Sequence, residues 1–134
     1  MKKITKAQAA YIAGFFDGEG CICCADMQGV PRLRVTLVQQ NPEALYKITK
    51  LLGCGNVHYK HTQHCYGHPS YVWCLYGKTN LLWFIKLILP YAIVKQPQLE
   101  LGIELLNTYG KGPGYPLTKA IIRTRQKLAK KLRS

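Results

Sequence analysis

Acid is the scarcest chemistry in this sequence. Six Asp and Glu stand against 19 Lys and Arg in 134 residues, a formal charge of +13. Such an imbalance predicts strong attraction to a polyanion and salt-sensitive binding. Nucleic acid is the first candidate partner and a membrane surface the second. Long apolar runs are missing too: none approaches the roughly 18 residues of a spanning helix, and the Lys-rich start lacks the apolar stretch of a signal peptide. The expectation is a soluble, intracellular protein with no membrane partner. The six cysteines lack the spaced pairs of a zinc signature, and without a secretion signal reduced thiols are expected in place of a disulfide scaffold. Cys21, Cys23 and Cys24 lie too close together to bridge one another and are read as small packing residues. What is present, 48% hydrophobic residues, suffices for the core of one domain over residues 1–134.

Two of the scarce acids, Asp17 and Glu19, share the stretch Tyr11-Ile12-Ala13-Gly14-Phe15-Phe16-Asp17-Gly18-Glu19-Gly20. Upstream, Thr5-Lys6-Ala7-Gln8 reads as a capping box opening a helix that runs to about Phe16. Carboxylates at a helix C-terminus oppose the macrodipole at a cost of about 0.3–1 kcal/mol each when exposed. A residue choice that local energetics disfavours marks a candidate functional site. Ala9, Ile12, Ala13 and Phe16 form an apolar stripe, while Ala10, Gly14 and Gly18 recur every four residues as a seam of small residues. That seam suits either the helix's own sheet or a second copy of the helix, and spacing alone leaves both open.

Further along, 20–26 and 32–40 alternate like strands, with Gln28-Gly29-Val30-Pro31 as turn residues between them. Leu33, Val35 and Leu37 take the core side; Arg32, Arg34, Thr36 and Val38 take the other. Pro42 suits the first turn of a helix that runs to Leu52 and ends at Gly53. Residues 56–65 and 70–76 read as a second hairpin whose Asn56, His58, Lys60 and Thr62 share a polar, basic face. Helices follow over 81–89, ended by Pro90, and over 97–109; a glycine-rich loop at 110–114 leads to a last helix starting near Thr118. From Lys119 to Arg133 there are seven cations and no acid. The order implies an α+β domain in which two hairpins make one antiparallel sheet, helices cover one face, and the basic face stays open. An open, twisted, basic sheet matches a DNA major groove.

The stretch Ile12-Ala13-Gly14-Phe15-Phe16-Asp17-Gly18-Glu19-Gly20 resembles the signature of the LAGLIDADG homing endonucleases. The resemblance extends to Val38-Gln39-Gln40-Asn41, Leu51-Leu52-Gly53-Cys54-Gly55-Asn56-Val57, Tyr71-Val72-Trp73, and Leu89-Pro90-Tyr91 followed by Lys95-Gln96. It covers most of the chain to about residue 105 and leaves the basic C-terminal helical extension, about 110–134, argued from charge alone. What it implies is an αββαββα core with a four-stranded antiparallel DNA-binding saddle sheet plus C-terminal helices. With one signature motif, it implies a homodimer making a staggered, metal-dependent double-strand break at a long, partly palindromic site in double-stranded DNA. It favours the two-copy reading of the small-residue seam and makes Ala10, Ala13, Gly14 and Asp17 candidates for the dimer interface.

By the same resemblance Glu19, with Gly18 beside it, would hold Mg²⁺ or Mn²⁺. Hard cations of this kind prefer oxygen ligands and keep several waters. Asp17 is given a structural role, bonding backbone amides around the turn. Gln39 corresponds to a polar residue near the metal, with Gln40 as its rival, and Lys95 to a basic residue near the cleaved phosphate. The DNA-reading surface is assigned to Arg32, Arg34, Thr36, Val38, Asn56, His58, Lys60, Thr62, Val72 and Cys74. His61, His64, Cys65 and His68 raise a structural zinc site, which is disfavoured because four ligands from one hairpin tip are geometrically awkward. The rival function is a non-cleaving protein of the same fold, an intron maturase acting on RNA or a DNA-binding regulator; a pure binder has no need of Glu19.

Overall fold

Thr5 opens the first helix through the reciprocal cap that the sequence predicts. The Gln8 amide donates to Thr5 Oγ1 at 3.1 Å and the Thr5 amide to Gln8 Oε1 at 3.0 Å, satisfying two otherwise orphaned donors. The structure, a computed structural model, describes residues 3–60, 69–110 and 117–133. Its elements are α1 (Lys6–Glu19), β1 (Gly20–Met27), β2 (Val30–Gln39), α2 (Glu43–Leu52), β3 (Asn56–Lys60), β4 (Ser70–Leu75), α3 (Lys78–Ile88), α4 (Gln96–Asn107) and α5 (Lys119–Arg133). The strands form one antiparallel sheet in the order β1-β2-β4-β3. The expected αββαββα order is followed by two further helices.

Several boundaries differ from the sequence reading, each for a local reason. α1 continues past Phe16 to Glu19, because Gly20 caps it with an amide bonded to the Phe16 carbonyl. Both acids therefore lie inside the last helical turn. Only Gln28 and Gly29 form the first hairpin's turn, with φ of 57° and 84°; two left-handed residues in a two-residue loop match the twist of the flanking strands. Val30 and Pro31 belong to β2, facing Met27 and Asp26. Antiparallel alternation from the turn-closing Met27–Val30 pair turns the Pro31 nitrogen away from β1. β4 pairs only with residues 35–39 of β2, so no ladder bond is lost. α3 starts at Lys78, three polar residues before its apolar period begins. α4 stops at Asn107 because its exit tightens, with Thr108 and Tyr109 amides bonding carbonyls three residues back.

The core lies between the helices and one face of the sheet. Ile12, Phe16, Leu33, Val35, Leu37, Trp73, Leu81 and Phe84 are fully or almost fully buried there. Phe84 meets the Phe16 ring edge-on at 6.1 Å and packs against Trp73 at 5.5 Å. Burying each such side chain contributes about 1.5–3 kcal/mol, which ties α1 and α3 to the sheet. Ala13 belongs to this core at 0% exposure. The dimer-interface expectation for Ala13 is thereby corrected: it shares α1 with the small-residue seam but takes the apolar stripe's side.

The last helix is docked by a charged residue turned inward. Of the seven cations in α5, Arg125 is buried, at 6% exposure. It donates to Thr108 Oγ1 at 2.9 Å and to the Thr108 carbonyl at 3.2 Å, and its guanidinium stacks 4.3 Å from the Tyr109 ring centroid. The Tyr109 hydroxyl in turn accepts the Leu33 amide at 2.7 Å. That amide lies in the part of β2 that β4 does not reach, so a side chain replaces a strand. Burial works against the charged form and lowers the Arg125 pKa.

Gly55 sets the entry to β3. Its φ is 92°, and a Cβ there would fall on the Trp73 ring, whose Nε1 donates to the Cys54 carbonyl at 3.3 Å. Gly55→Ala combines left-handed strain with overpacking and should cost about 2–4 kcal/mol. Urea denaturation reads this directly, and an unchanged midpoint would show that the Trp73 contact tolerates displacement.

Candidate acidic site and nucleic-acid interface

At the C-terminal end of α1 two residues distant in sequence hold each other's helices. Asp17 accepts backbone amides from Ile93 at 2.8 Å, Val94 at 3.3 Å and Lys95 at 3.1 Å. Its carboxylate thus sits where α4 begins, the end of a helix that favours an anion. Lys95 returns the arrangement. Its Nζ donates to the Phe16 carbonyl at 3.1 Å and to the Gly20 carbonyl, and lies 5.4 Å from the Phe16 ring centroid. α1 carries no base in its own last turn, and Lys95 supplies the missing cation from outside. Asp17 does bond backbone amides as expected, but those of a segment 76 to 78 residues away and not of its own turn. Engaged within its own protomer, it is not a free interface group.

Glu19 stands apart from this pairing. It ends α1, its side chain is exposed, and Gly20 immediately begins β1. No larger residue fits at Gly20, where a Cβ would strike the Phe16 ring. Gly20 pairs with Leu37, and Gln39 lies two residues further along β2, at this same end of the sheet. Gln39 is half-buried and lines an open groove of about 480 Å³ with Tyr11, Ala44, Ile48 and Leu51. Gln40 is exposed in the bend beyond the strand.

The open face of the sheet follows from the registers. Rows run Cys21–Thr36–Cys74–Asn56 and Val38–Val72–His58 across the strands, with Lys60 facing Ser70 beyond them. Arg32, Val38, Asn56, His58 and Lys60 are exposed, and Arg34 and Thr36 are partly so. Val72 and Cys74 have the expected parity but are 7% and 8% exposed. They lie on β4, flanked by β2 and β3, and form the floor of the face, which corrects their assignment as contact residues. Thr62, together with His61, His64, Cys65 and His68, lies outside the described residues.

Two of the three cysteines on β1 depart from expectation. Cys24 packs on the core, and burial first, then Cys23, pushes its thiol up to about 11. Cys21 is exposed and Cys23 partly exposed, both on the open face. The strand alternation that puts Ile22 and Cys24 inward dictates this, and reading the three as one packing cluster overlooked it. Cys21, Cys23, Ala25 and Met27 thus belong to the open face without having been assigned to it. Arg34 donates through Nε to Cys23 Sγ at 3.3 Å; hydrogen bonding to Cys23 and then to Tyr76 raises the Arg34 pKa. Among the described residues no three His, Cys, Asp or Glu side chains could jointly hold a metal ion.

A family model described as LAGLIDADG endonuclease matches residues 12–96, from the buried stripe of α1 to the first residue of α4. The chain belongs to the LAGLIDADG endonuclease family. It is similar to the DNA endonuclease I-CvuI of Chlorella vulgaris, 28% identical over 107 residues covering 73% of this chain. That match spans 63% of the relative, less than two thirds of its length. The fold resembles the crystal structure of I-CvuI in complex with its target in the presence of calcium, with TM-score 0.75 and 26% identity over 95% of this chain and 80% of that one. It also resembles an archaeal intron-encoded homing endonuclease, I-Vdi141I, complexed with DNA, with TM-score 0.77 and 25% identity over 95% and 82% of the two chains. I-TnaI, 19% identical at TM-score 0.75 over 99% and 90%, shares the fold.

Within this LAGLIDADG chain the signature ties Asp17 to folding. Partial burial alone would raise its pKa, but the Ile93, Lys95 and Val94 amides and the Lys95 charge prevail and lower it below the ordinary 3.8. The ionised carboxylate therefore stabilises the fold fully above that ordinary value, and the contribution drains away as pH falls through the lower folded-state value. Asp17→Asn should cost about 1–3 kcal/mol near neutral pH, with the gap to the parent protein closing as pH falls past the ordinary 3.8 and through the lower folded-state value. Stability measured in steps across that range tests it; a gap independent of pH would mean the charge is not what holds the two segments together.

Proposed function

We propose that two copies of this chain act together as a site-specific, divalent-metal-dependent DNA endonuclease. The observation that carries this is Glu19, an exposed carboxylate at the end of α1 beside an open basic sheet. A protein that only bound DNA would gain nothing from an acid near phosphates. The relatives I-CvuI and I-Vdi141I, crystallised with DNA, supply the substrate class. The open face carries Arg32, Arg34, Thr36, Val38, Asn56, His58 and Lys60 toward the groove.

The donors fit a hard cation. The Glu19 carboxylate and the Gly18 backbone carbonyl are the oxygen donors that would hold it, of the hard type that Mg²⁺ or Mn²⁺ prefers. When bound, the cation supplies charge that steadies the leaving oxygen and makes water a better nucleophile. Glu19 anchors it at the end of a helix whose position the core fixes. Gln39 orients water through an amide that both donates and accepts. Lys95, tied through the Gly20 carbonyl one residue from Glu19, adds positive charge to offset that of the phosphate.

One protomer offers one Glu19, and a double-strand break needs two. Ala10, Gly14 and Gly18 lie exposed on α1, and a Cβ added to either glycine would meet nothing within 4 Å. Around them Tyr11, Val94 and Ile93 expose 62%, 68% and 83% of their surface. A small-residue seam ringed by exposed apolar side chains suits close packing of two α1 helices, which would bring both Glu19 residues to the two-fold axis.

With Mg²⁺ and DNA from the insertion locus of its own gene, the protein should make a staggered double-strand cut. Glu19→Gln should reduce cutting at least about a hundredfold while DNA affinity stays within a few-fold; metal-dependent cutting at the parent rate by this variant would remove Glu19 from the chemistry. Gly14→Leu should leave the protomer's thermal midpoint within a few degrees yet shift the protein to monomer in sedimentation, since the space it fills is open in one chain and closed between two. A persisting dimer would place the interface elsewhere.

A further inference from the structure

We infer that Cys23 positions Arg34 to read a guanine end-on, through its two terminal nitrogens. The inference rests on the DNA-cutting reading above and adds the specificity device within it. Cys23 and Arg34 are cross-strand partners on the open face, and the guanidinium donates through Nε to Cys23 Sγ at 3.3 Å. On the other flank, β4 ends with Leu75 opposite Val35. One further step of that register brings Tyr76 opposite Arg34. The side chain is thus tethered at Nε to β1, with Tyr76 on its other flank in the same row of the sheet.

This arrangement decides how Arg34 can meet a base. A guanidinium pairs with the O6 and N7 of guanine bidentately, either through Nε with one terminal nitrogen or through both terminal nitrogens. With Nε given to sulfur, the terminal pair is the face left to point out of the sheet. Of the immediate surroundings, Cys21, Thr36 and Ala25 are short and leave the guanidinium clear of the sheet on that side. Arg32, two residues along the same face and opposite Ala25, is exposed, which makes it the natural comparison. A side chain locked before binding loses less freedom on meeting its base and rejects misaligned partners more sharply. Cys23 is a positioning residue here, acting through Arg34 and not on DNA.

The experiment is selection of bound duplexes from a randomised DNA library by the full chain and its variants, with thermal midpoints measured in parallel. Arg34→Ala should erase a guanine preference at one position in each half-site. Cys23→Ala should weaken the preference at that same position about tenfold, and Cys23→Ser, which keeps an acceptor, should restore most of it. Arg32→Ala should leave that position unaltered, and the midpoint should not follow the preference. If Arg34→Ala erases the preference and Cys23→Ala does not weaken it, the positioning role is overturned while DNA reading stands. If no position responds to Arg34→Ala although a consensus is recovered, Arg34 is not a base reader. If the parent protein selects no consensus, the proposed function fails and this inference with it.

Discussion

Everything at the acidic end of the molecule depends on an exchange of charges between two helix ends. The Asp17 carboxylate occupies the entry to α4 and the Lys95 ammonium the exit of α1. Each helix presents a partial charge of the sign that the other's side chain neutralises. Two acids in the last turn of α1 would be unfavourable in isolation. With Lys95 in place, that turn forms through to Glu19, and Glu19 stands at a defined point on a rigid element and not on a loop. The signature stretch is therefore as much a joint between helices as the bearer of the exposed Glu19 carboxylate.

The open face obeys a different logic. Strand alternation alone sorts Leu33, Val35 and Leu37 from Arg32, Arg34 and Thr36, and the hairpin's two-residue turn locks the register that makes the sorting hold. Its charge is unevenly spread, with arginines on β2, His58 and Lys60 on β3, and β1 contributing thiols, Ala25 and Met27. A groove-facing surface of this kind would hold phosphates at its basic margins and leave base discrimination to a few long side chains whose direction is fixed.

What was legible in the sequence was local. The Thr5–Gln8 cap, the period-two alternation of β2 and the glycine exit of α2 each involve neighbours within a few residues, and each stands as expected. The signature carried the family and, with the charge balance, the open basic sheet. The partners of Asp17 and Lys95 were hidden because neither residue's local pattern points across the intervening chain. Arg125 was hidden for the opposite reason: it sits in a run of cations that reads as a solvated face, and only its contact with Tyr109 and Thr108 distinguishes it. Val72 and Cys74 had the right parity, but parity says nothing about how far the strands on either side cover an inner strand.

The bond from the Leu33 amide to the Tyr109 hydroxyl bears on how copies of this chain can associate. Residues 30–34 of β2 are backbone that β4 leaves unpaired, the kind of segment onto which a foreign strand adds. Pro31 removes one donor there and Tyr109 occupies another, so this stretch offers little to an incoming chain. Growth of the sheet by strand addition, the usual route from an open sheet to an insoluble fibre, is blunted at a point where the fold itself could not supply a strand. A polar tip from a helix exit takes the place of that strand.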